Sequence, residues 1–187
     1  MFLRIFFGLS LLTASTSILA DTVDLNLRDS AVQLQYIAPI GRDSLGSADL
    51  HAGLLYTDHQ GRYGDFGILV KGPVGNRDAG ITAGVGVKGV VATVNDFNTA
   101  ALALGGQMRF SLPPATRLSI VGEVYFSPNI VTYRDAERFV QAGARVEYEL
   151  IPQASAYIGY RRITFSLVNK TDAVLDTGFN GGVRISF

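Results

Sequence analysis

The sequence predicts an all-β protein: an antiparallel, up-and-down transmembrane β-barrel of about ten strands that follows a cleaved signal peptide. Three observations support this prediction. The first twenty residues have the layout of a secretory leader, most of the remaining chain alternates between apolar and polar residues, and the last strand ends on an aromatic residue. Alternation with a period of two indicates strands that have one apolar and one polar face.

The leader carries a basic residue, Arg4, near its start, followed by an apolar run over residues 5–12. Small residues then lead to a predicted cleavage site after Ala20. The alternative is an N-terminal membrane anchor, but a spanning helix needs about 20 apolar residues. We therefore predict a signal peptide over residues 1–20 and an outer-membrane barrel domain over residues 21–187.

The composition of the chain narrows the possible classes of protein. Only 17% of the residues are charged, whereas about 25% is usual in soluble domains. The 16 basic and 16 acidic residues balance, so we expect no nucleic-acid partner, because no excess of positive charge is available to bind phosphates. Cysteine is absent, which excludes disulfides. Beyond residue 20 no apolar run could cross a bilayer as a helix, so a membrane location requires a closed barrel.

Turn-forming residues separate the first five predicted strands. Asp29 and Ser30 form the first turn, residues 39–46 interrupt the pattern, and residues 58–61 and 75–78 are turns by composition. The apolar faces of these strands consist, in chain order, of Val23, Leu25 and Leu27; Val32, Leu34, Tyr36 and Ala38; Ala48, Leu50, Ala52, Leu54 and Tyr56; Phe66, Ile68 and Val70; and Ile81, Ala83, Val85, Val87 and Val91.

The next strands follow a loop at residues 95–98. Pro113 and Pro114 end the first of them, and residues 127–137 form a long irregular stretch. The apolar faces consist, in chain order, of Ala100, Leu102, Leu104, Met108, Phe110 and Leu112; Leu118, Ile120, Val124 and Phe126; Val140, Ala142, Ala144, Val146, Tyr148 and Leu150; and Ala154, Ala156, Ile158 and Tyr160.

The end of the chain contains a change of phase and a terminal strand. Ile163 and Phe165 are out of phase with the residues before them, so we predict a β-bulge at Arg161 and Arg162. A loop is predicted over residues 169–176. The last strand presents an apolar face that is typical of the C-terminal strand of an outer-membrane barrel, and this face consists of Phe179, Val183, Ile185 and Phe187.

The strand count follows from the position of the two termini. Both should lie on the periplasmic side, which requires an even number of strands; ten is the prediction and eight the alternative. The predicted periplasmic turns lie at residues 40–47, 74–79, 113–116 and 152–153. The predicted external loops lie at residues 29–30, 57–62, 94–98, 127–137 and 167–176.

The polar face is predicted to point into the barrel, because it is rich in glycine and suits a narrow, filled interior. The alternative, a soluble barrel of the lipocalin kind, would carry more Lys, Glu and Thr on this face. Aromatic residues of the apolar face lie near the strand ends, as in the two girdles of outer-membrane barrels. The predicted girdles are Tyr36, Phe110, Tyr148 and Phe187 at one rim, and Tyr56, Phe66, Phe126, Phe165 and Phe179 at the other.

The candidate functional residues are the charged and polar side chains of the inner face. Their charges nearly balance, so we expect ion pairs in an interior that is only wide enough for side chains. A plugged interior, a thin pore lined by mixed charge and a proton-transfer site are the three interpretations. The predicted polar network consists of Asp49, His51, Asp65, Lys71, Lys88, Arg109, Glu123, Arg145, Glu147, Arg161 and Arg184.

No catalytic residue, cofactor site or metal site is predicted. His51 lies two residues from Asp49, so the two side chains share a face and could pair; we interpret His51 as part of the polar network. His59 lies in a predicted external turn. The sequence has no compact pair of nucleophile and base, and two histidines without cysteine disfavour a zinc site.

Three stretches of the sequence resemble a known family. They are residues 24–31, with Asp-Leu-Asn-Leu followed by Asp-Ser-Ala, residues 53–56, and residues 182–187 at the end. With these stretches, the whole predicted barrel resembles the YfaZ family of small proteobacterial outer-membrane proteins. The resemblance implies a location in the Gram-negative outer membrane and brings no catalytic residues.

The leading functional hypothesis is a largely plugged outer-membrane barrel with a structural or interaction role in the cell envelope. The alternatives are a narrow pore for small solutes and a lipid-modifying envelope enzyme. The expected partners are outer-membrane lipid and the barrel-assembly machinery, which would recognise the C-terminal strand. The sequence leaves the oligomeric state open.

Overall fold

The computed structural model describes residues 20–42, 46–58, 61–75, 80–94, 97–112, 117–134, 136–167 and 172–187. Nearly all of the predicted signal peptide, the predicted turn residue His59 and the predicted turn at residues 113–116 lie outside the described residues. None of the helices within these ranges is long and apolar enough to cross a membrane.

The described residues form eleven strands and one short 3-10 helix at Asn129–Val131. The alternating segments of the sequence become strands because each can place its apolar residues on one side and its polar residues on the other. The strands are β1 (Thr22–Arg28), β2 (Ala31–Arg42), β3 (Ser47–Thr57), β4 (Arg62–Pro73), β5 (Ile81–Val94), β6 (Phe97–Ser111), β7 (Leu118–Ser127), β8 (Thr132–Arg134), β9 (Ala136–Ile151), β10 (Ala154–Leu167) and β11 (Asp172–Ser186).

Ten of these strands form a closed antiparallel ring. Neighbours in sequence pair from β1 to β7, β7 pairs with β9, and β9, β10 and β11 continue the ring. Pairing of β11 with β1, in which Arg184 lies opposite Asp24, closes it. The predicted antiparallel barrel of ten strands is therefore confirmed, and eight strands is not the count.

The short strand β8 continues the line of β7, and both strands pair with β6. Residues 104–111 of β6 pair with β7, and Thr99, Ala100 and Ala101 of β6 pair with β8. The 3-10 helix fills the break between them. The prediction that residues 127–137 form a loop is therefore wrong in part. Part of this stretch is the strand β8, which pairs with the first part of β6.

The two ends of the barrel are different. The terminus end, where β1 begins and β11 ends, carries the connections β2–β3, β4–β5, β6–β7 and β9–β10. The loop end carries the connections β1–β2, β3–β4, β5–β6 and β10–β11, and the path from β7 through β8 to β9. At the terminus end the amide of Phe187 donates a hydrogen bond to the carbonyl oxygen of Asp21 at 2.9 Å. At the loop end, β11 begins at Asp172, so the predicted loop over residues 169–176 is too long.

The outer face of the ring is apolar over its whole circumference. Large side chains such as Leu54, Val85 and Phe179 are 68%, 73% and 82% exposed. Of the predicted girdle residues, all except Phe165 lie on this face. Soluble monomers rarely expose apolar surface on this scale, so this outer face is that of a barrel that faces lipid.

Phe165 lies inside the barrel, which corrects two predictions at once. It alternates regularly with the inward Arg161 and Ile163 along β10, so no bulge exists at Arg161 and Arg162. The irregularity lies in β11 instead, because Ile163 pairs with Asp176 while Thr164 pairs with Val174. Leu175 and Asp176 therefore both point inward.

Apolar side chains fill the interior of the barrel next to the loop end, and we call this cluster the plug. Its members come from β2 to β11, and Phe139, Ile163, Phe165 and Ala103 are each 0% exposed. The rings of Phe139 and Phe165 lie 4.9 Å apart. The plug consists of Ala31, Leu55, Tyr63, Val90, Ala92, Ala101, Ala103, Tyr125, Ala136, Phe139, Ile163, Phe165, Ala173 and Leu175.

Candidate functional site

The interior between the plug and the terminus end is charged. Its main feature, which we call the arginine cluster, is a group of three arginines around two carboxylates: Arg109, Arg145, Arg184, Asp24 and Glu147. Arg145 and Glu147 are two residues apart on β9, and residues with this spacing share a face of a strand. Arg184 faces Asp24 because the two are paired across the β1–β11 closure.

The contacts within the arginine cluster are short. Arg145 Nε lies 2.6 Å from Glu147 Oε1, and Arg184 Nη1 lies 3.1 Å from the same oxygen. Arg184 Nη2 donates to Asp24 Oδ2 at 2.8 Å. Arg109 donates to the second oxygen of Glu147. Each carboxylate is thus shared between arginines, and this arrangement satisfies the buried acids while leaving one positive charge in excess.

A tyrosine connects the arginine cluster to the middle of the barrel. Tyr157 donates a hydrogen bond to Asp24 and accepts one from Asn26 Nδ2 at 3.0 Å. The guanidinium carbon of Arg145 lies 5.0 Å from the centre of the Tyr157 ring. Gly182 makes room for this ring, since a β-carbon there would collide with the tyrosine and with the carbonyl group of Leu25.

Lys88 is almost fully buried beneath the plug. Its ammonium group donates to Gln141 Oε1 at 2.6 Å and lies 4.2 Å from the centre of the Tyr125 ring. Tyr63 donates to the same amide oxygen at 3.1 Å, and Gln141 Nε2 donates to Glu123 Oε1 at 2.9 Å. One glutamine therefore links the lysine, a tyrosine of the plug and a glutamate.

A second ion-pair group lies at the boundary with the plug. Arg161 donates to Asp176 Oδ2 from Nε at 2.9 Å and from Nη2 at 2.6 Å. Arg28 donates to the other oxygen of Asp176, and Arg161 also donates to Gln33. The predicted loop over residues 169–176 left Asp176 out of the predicted polar network. The apolar residues Ala173, Val174 and Leu175 inside this stretch were the signal that β11 begins earlier.

Asp49 and His51, whose spacing would allow a pair, each contact a residue of the neighbouring strand. Asp49 contacts Lys71. His51 Nε2 lies 3.7 Å from Asp65 Oδ2, across the β3–β4 pair. The neighbours of both residues are set by adjacent strands, which sequence spacing along β3 cannot show.

Six residues of the predicted polar network are buried: Asp49, His51, Asp65, Lys88, Glu147 and Arg161. The other five line the interior cavity: Lys71, Arg109, Glu123, Arg145 and Arg184. The structure divides the predicted residues into several groups rather than one network. Arg109, Arg145, Glu147 and Arg184 meet in the arginine cluster, whereas Arg161 lies on the far side with Asp176. Lys71 pairs with Asp49, and Lys88 and Glu123 meet through Gln141.

A cavity of about 230 Å³ lies between these groups and opens toward the terminus end. A smaller polar cavity of about 40 Å³ lies deeper in the barrel, beside Asn26 and Tyr157. Neither crosses the plug. The residues that line the larger cavity include Lys71, Thr82, Gln107, Arg109, Arg145 and Arg184.

Within the described ranges, no group of three or more His, Cys, Asp and Glu side chains could hold a metal ion. The hydroxyl groups near the terminus end bond to one another. Ser111 Oγ lies 3.1 Å from Ser119 Oγ, and Thr22 Oγ1 lies 2.9 Å from Ser186 Oγ. Both pairs join neighbouring strands of the wall.

An apolar outer face, a closed antiparallel ring and a charged interior together define a transmembrane β-barrel. The chain belongs to the YfaZ precursor family, whose model matches residues 3–187. The family resemblance seen in the sequence is therefore confirmed.

Solved structures provide a comparison of the fold. One chain, described as "Unveiling the Mechanism Behind the in-meso Crystallization of Membrane Proteins", matches with a TM-score of 0.50 at 13% identity, over 90% of this chain and 83% of its own. A chain described as "KdgM porin" matches with a TM-score of 0.49 at 10% identity, over 90% and 99%. No curated protein matches this chain by sequence.

Proposed function

We propose that this protein is a non-conducting barrel of the bacterial outer membrane, with a structural or interaction role in the cell envelope. The observation that supports this function is the plug. Phe139, Ile163 and Phe165 are completely buried where a pore would need an open lumen. The barrel is therefore a cup that is open at the terminus end and closed toward the loop end.

The plug opposes the passage of ions for an energetic reason. An ion that enters an apolar region loses its water shell, and the cost of this desolvation is several kcal/mol or more. Apolar constrictions close channels by excluding water in the same way. The alternative of a narrow pore would need a continuous polar path, and the cavities among the described residues stop below Phe139 and Tyr63.

Two features support an outer-membrane location. The outer face is apolar around the whole ring, and the family is described as a precursor, which suits the predicted signal peptide. We place the terminus end in the periplasm and the loop end outside. The outer face of β11, with Val183, Ile185 and Phe187 exposed, would contact lipid and present the assembly machinery with its recognition strand.

The proposed role does not include catalysis. His51 faces Asp65, and the hydroxyl groups of Ser111 and Ser119 face each other at a different level of the barrel. A lipid-modifying enzyme would need a nucleophile beside its base. Unchanged lipid mass spectra after overexpression of this protein would agree with the proposal.

The experiment that tests the proposal is single-channel recording of the refolded protein in a planar bilayer. The wild type should give no discrete conductance steps. The double variant Phe139→Ala, Phe165→Ala removes the two stacked rings of the plug and should produce steps. The matched control Phe66→Ala, Phe126→Ala removes two rings from the outer face and should remain silent.

Each recording requires a sample whose folding has been shown by gel mobility with and without boiling. Discrete steps from the folded wild type that change in size with Arg109→Gln would sink the proposal, because they would establish an open polar lumen. Absence of steps from a folded plug variant would show that residues other than Phe139 and Phe165 close the barrel.

A further inference from the structure

The cavity at the terminus end presents positive charge to whatever enters it. In the pair Lys71–Asp49 the lysine side chain is 38% exposed and the aspartate 8%. In the pair Arg109–Glu147 the arginine side chain is 35% exposed and the glutamate side chain 3%. In both pairs the cation is more accessible than the carboxylate, partly because long basic side chains extend toward water. Two acidic residues, Asp49 and Glu123, line the cavity, against five basic ones: Lys71, Lys88, Arg109, Arg145 and Arg184.

The same order holds deeper in the cavity. Arg145 and Arg184 are 18% and 16% exposed, and the carboxylates that they share, Asp24 and Glu147, are at most 4% exposed. Three arginines share two carboxylates in this cluster, so its net charge is positive. The field of oriented charges in a confined, partly dry space is stronger than on an open surface.

Arg109 is the member of the cluster best placed to bind something else. Its one carboxylate contact within the described part of the chain runs from Nη2 to Glu147. A guanidinium group has five N–H donors in a planar fork, so most of the donors of Arg109 remain for the cavity that it lines. Thr82 and Gln107 line the same cavity and add neutral polar groups.

We propose that this cavity is a binding site for a small oxyanion, one that carries a phosphate or carboxylate group and enters from the terminus end. Arg109 and Lys71 bind the anion directly, and Arg145 and Arg184 supply the positive field behind it. Arginine suits this role because its fork matches the geometry of both groups. A volume of about 230 Å³ admits an anion the size of a dicarboxylate and excludes polymers. The inference rests on the proposed closure of the barrel, which makes the cavity a blind cup.

The test is calorimetric titration of the refolded protein in detergent micelles with three probes: inorganic phosphate, succinate and uncharged glucose. We expect phosphate or succinate to bind and glucose not to bind. Arg109→Gln should weaken binding about tenfold or more, which corresponds to the loss of hydrogen bonds from a charged donor. Arg62→Gln, an equal loss of charge at the exposed start of β4 near the loop end, should leave binding unchanged.

Phosphate and succinate distinguish the two oxyanion classes, and a preference for either identifies the natural one. Absence of binding by both probes at millimolar concentration, with a protein shown to be folded, overturns the proposal. Equal weakening by Arg62→Gln also overturns it, since the effect would then reflect net charge alone. Conductance tests the closure of the barrel, and titration tests anion binding. A closed barrel that binds no anion overturns only the binding proposal, whereas a conducting barrel overturns the proposed closure.

Discussion

Asp176 balances two arginines that would otherwise be buried without a carboxylate. Arg28 and Arg161 both contact it, and its side chain is 1% exposed. Breaking such a buried pair from one side costs about 3–5 kcal/mol. Asp176→Asn should therefore lower the free energy of unfolding by about 3 kcal/mol or more, measured by urea titration of the refolded barrel.

The matched control for this prediction is Asp172→Asn on the same strand. Asp172 is exposed, and within the described ranges its side chain accepts a hydrogen bond from Ser166 Oγ at 2.8 Å. Its substitution should therefore change the free energy of unfolding by less than about 1 kcal/mol. Equal effects of the two variants would contradict the assignment of Asp176 to the interior.

Gly67 provides a steric test of the interior wall. A β-carbon at this position would lie 2.6 Å from Lys88 Cβ and 2.8 Å from His51 Nε2. Gly67→Ala should lower the free energy of unfolding by about 1–3 kcal/mol, as overpacking does. At Gly41 nothing lies within 4 Å of the added carbon, so Gly41→Ala should be neutral or slightly stabilising. Urea titration of both variants checks the contrast.

At the scale of single strands, the sequence predicted the existence of the elements better than their phase. Nearly every strand shows period-two alternation, because one face meets lipid and the other meets a polar interior. The rule fails at the loop end of β10, where Ile163 and Phe165 are apolar and point inward. An inner face that is itself apolar removes the contrast, so the sequence could not distinguish the plug from a bulge.

The C-terminal strand offers a prediction about assembly. Phe187 is 69% exposed on the outer face, and its hydrogen bond to Asp21 uses the backbone, so the side chain contributes little to the closed ring. Phe187→Ser should leave the unfolding midpoint of the refolded protein nearly unchanged and reduce, severalfold, the amount of protein recovered in the outer membrane of cells.

Phe179→Ser is the control for the assembly prediction, since Phe179 is 82% exposed on the same face of β11. Membrane fractionation and quantitative blotting of both variants would check the difference. If both variants accumulate normally, recognition of the terminal aromatic residue by the assembly machinery is wrong for this protein.

For the molecule as a whole, the sequence predicted ten strands and one ring, and the pairing of β11 with β1 confirms both. It placed the polar network inside but could not determine its partners. Asp49 contacts Lys71, and His51 faces Asp65, because contacts inside a barrel depend on the register of neighbouring strands. Alternation along one strand excludes a shift of one residue, which would reverse the two faces, but it does not distinguish registers that differ by two residues.

A closed ring of hydrogen bonds should resist detergent, which yields a prediction for the intact protein. Without boiling, the folded barrel should remain compact in dodecyl sulfate and migrate differently from the boiled chain. Gel electrophoresis of paired samples measures this shift. Identical mobility for a sample extracted natively from membranes would contradict the closure of β1 on β11.

The strands of the wall differ greatly in length, and the surrounding bilayer must adapt to this difference. β1 has 7 residues and β9 has 16, which corresponds to about 23 Å and about 50 Å of extended chain. After tilting, the first is shorter than an apolar band of about 25 Å and the second exceeds it. We therefore expect the bilayer to be thinner beside β1 than beside β9, which is three places away in the ring of ten strands.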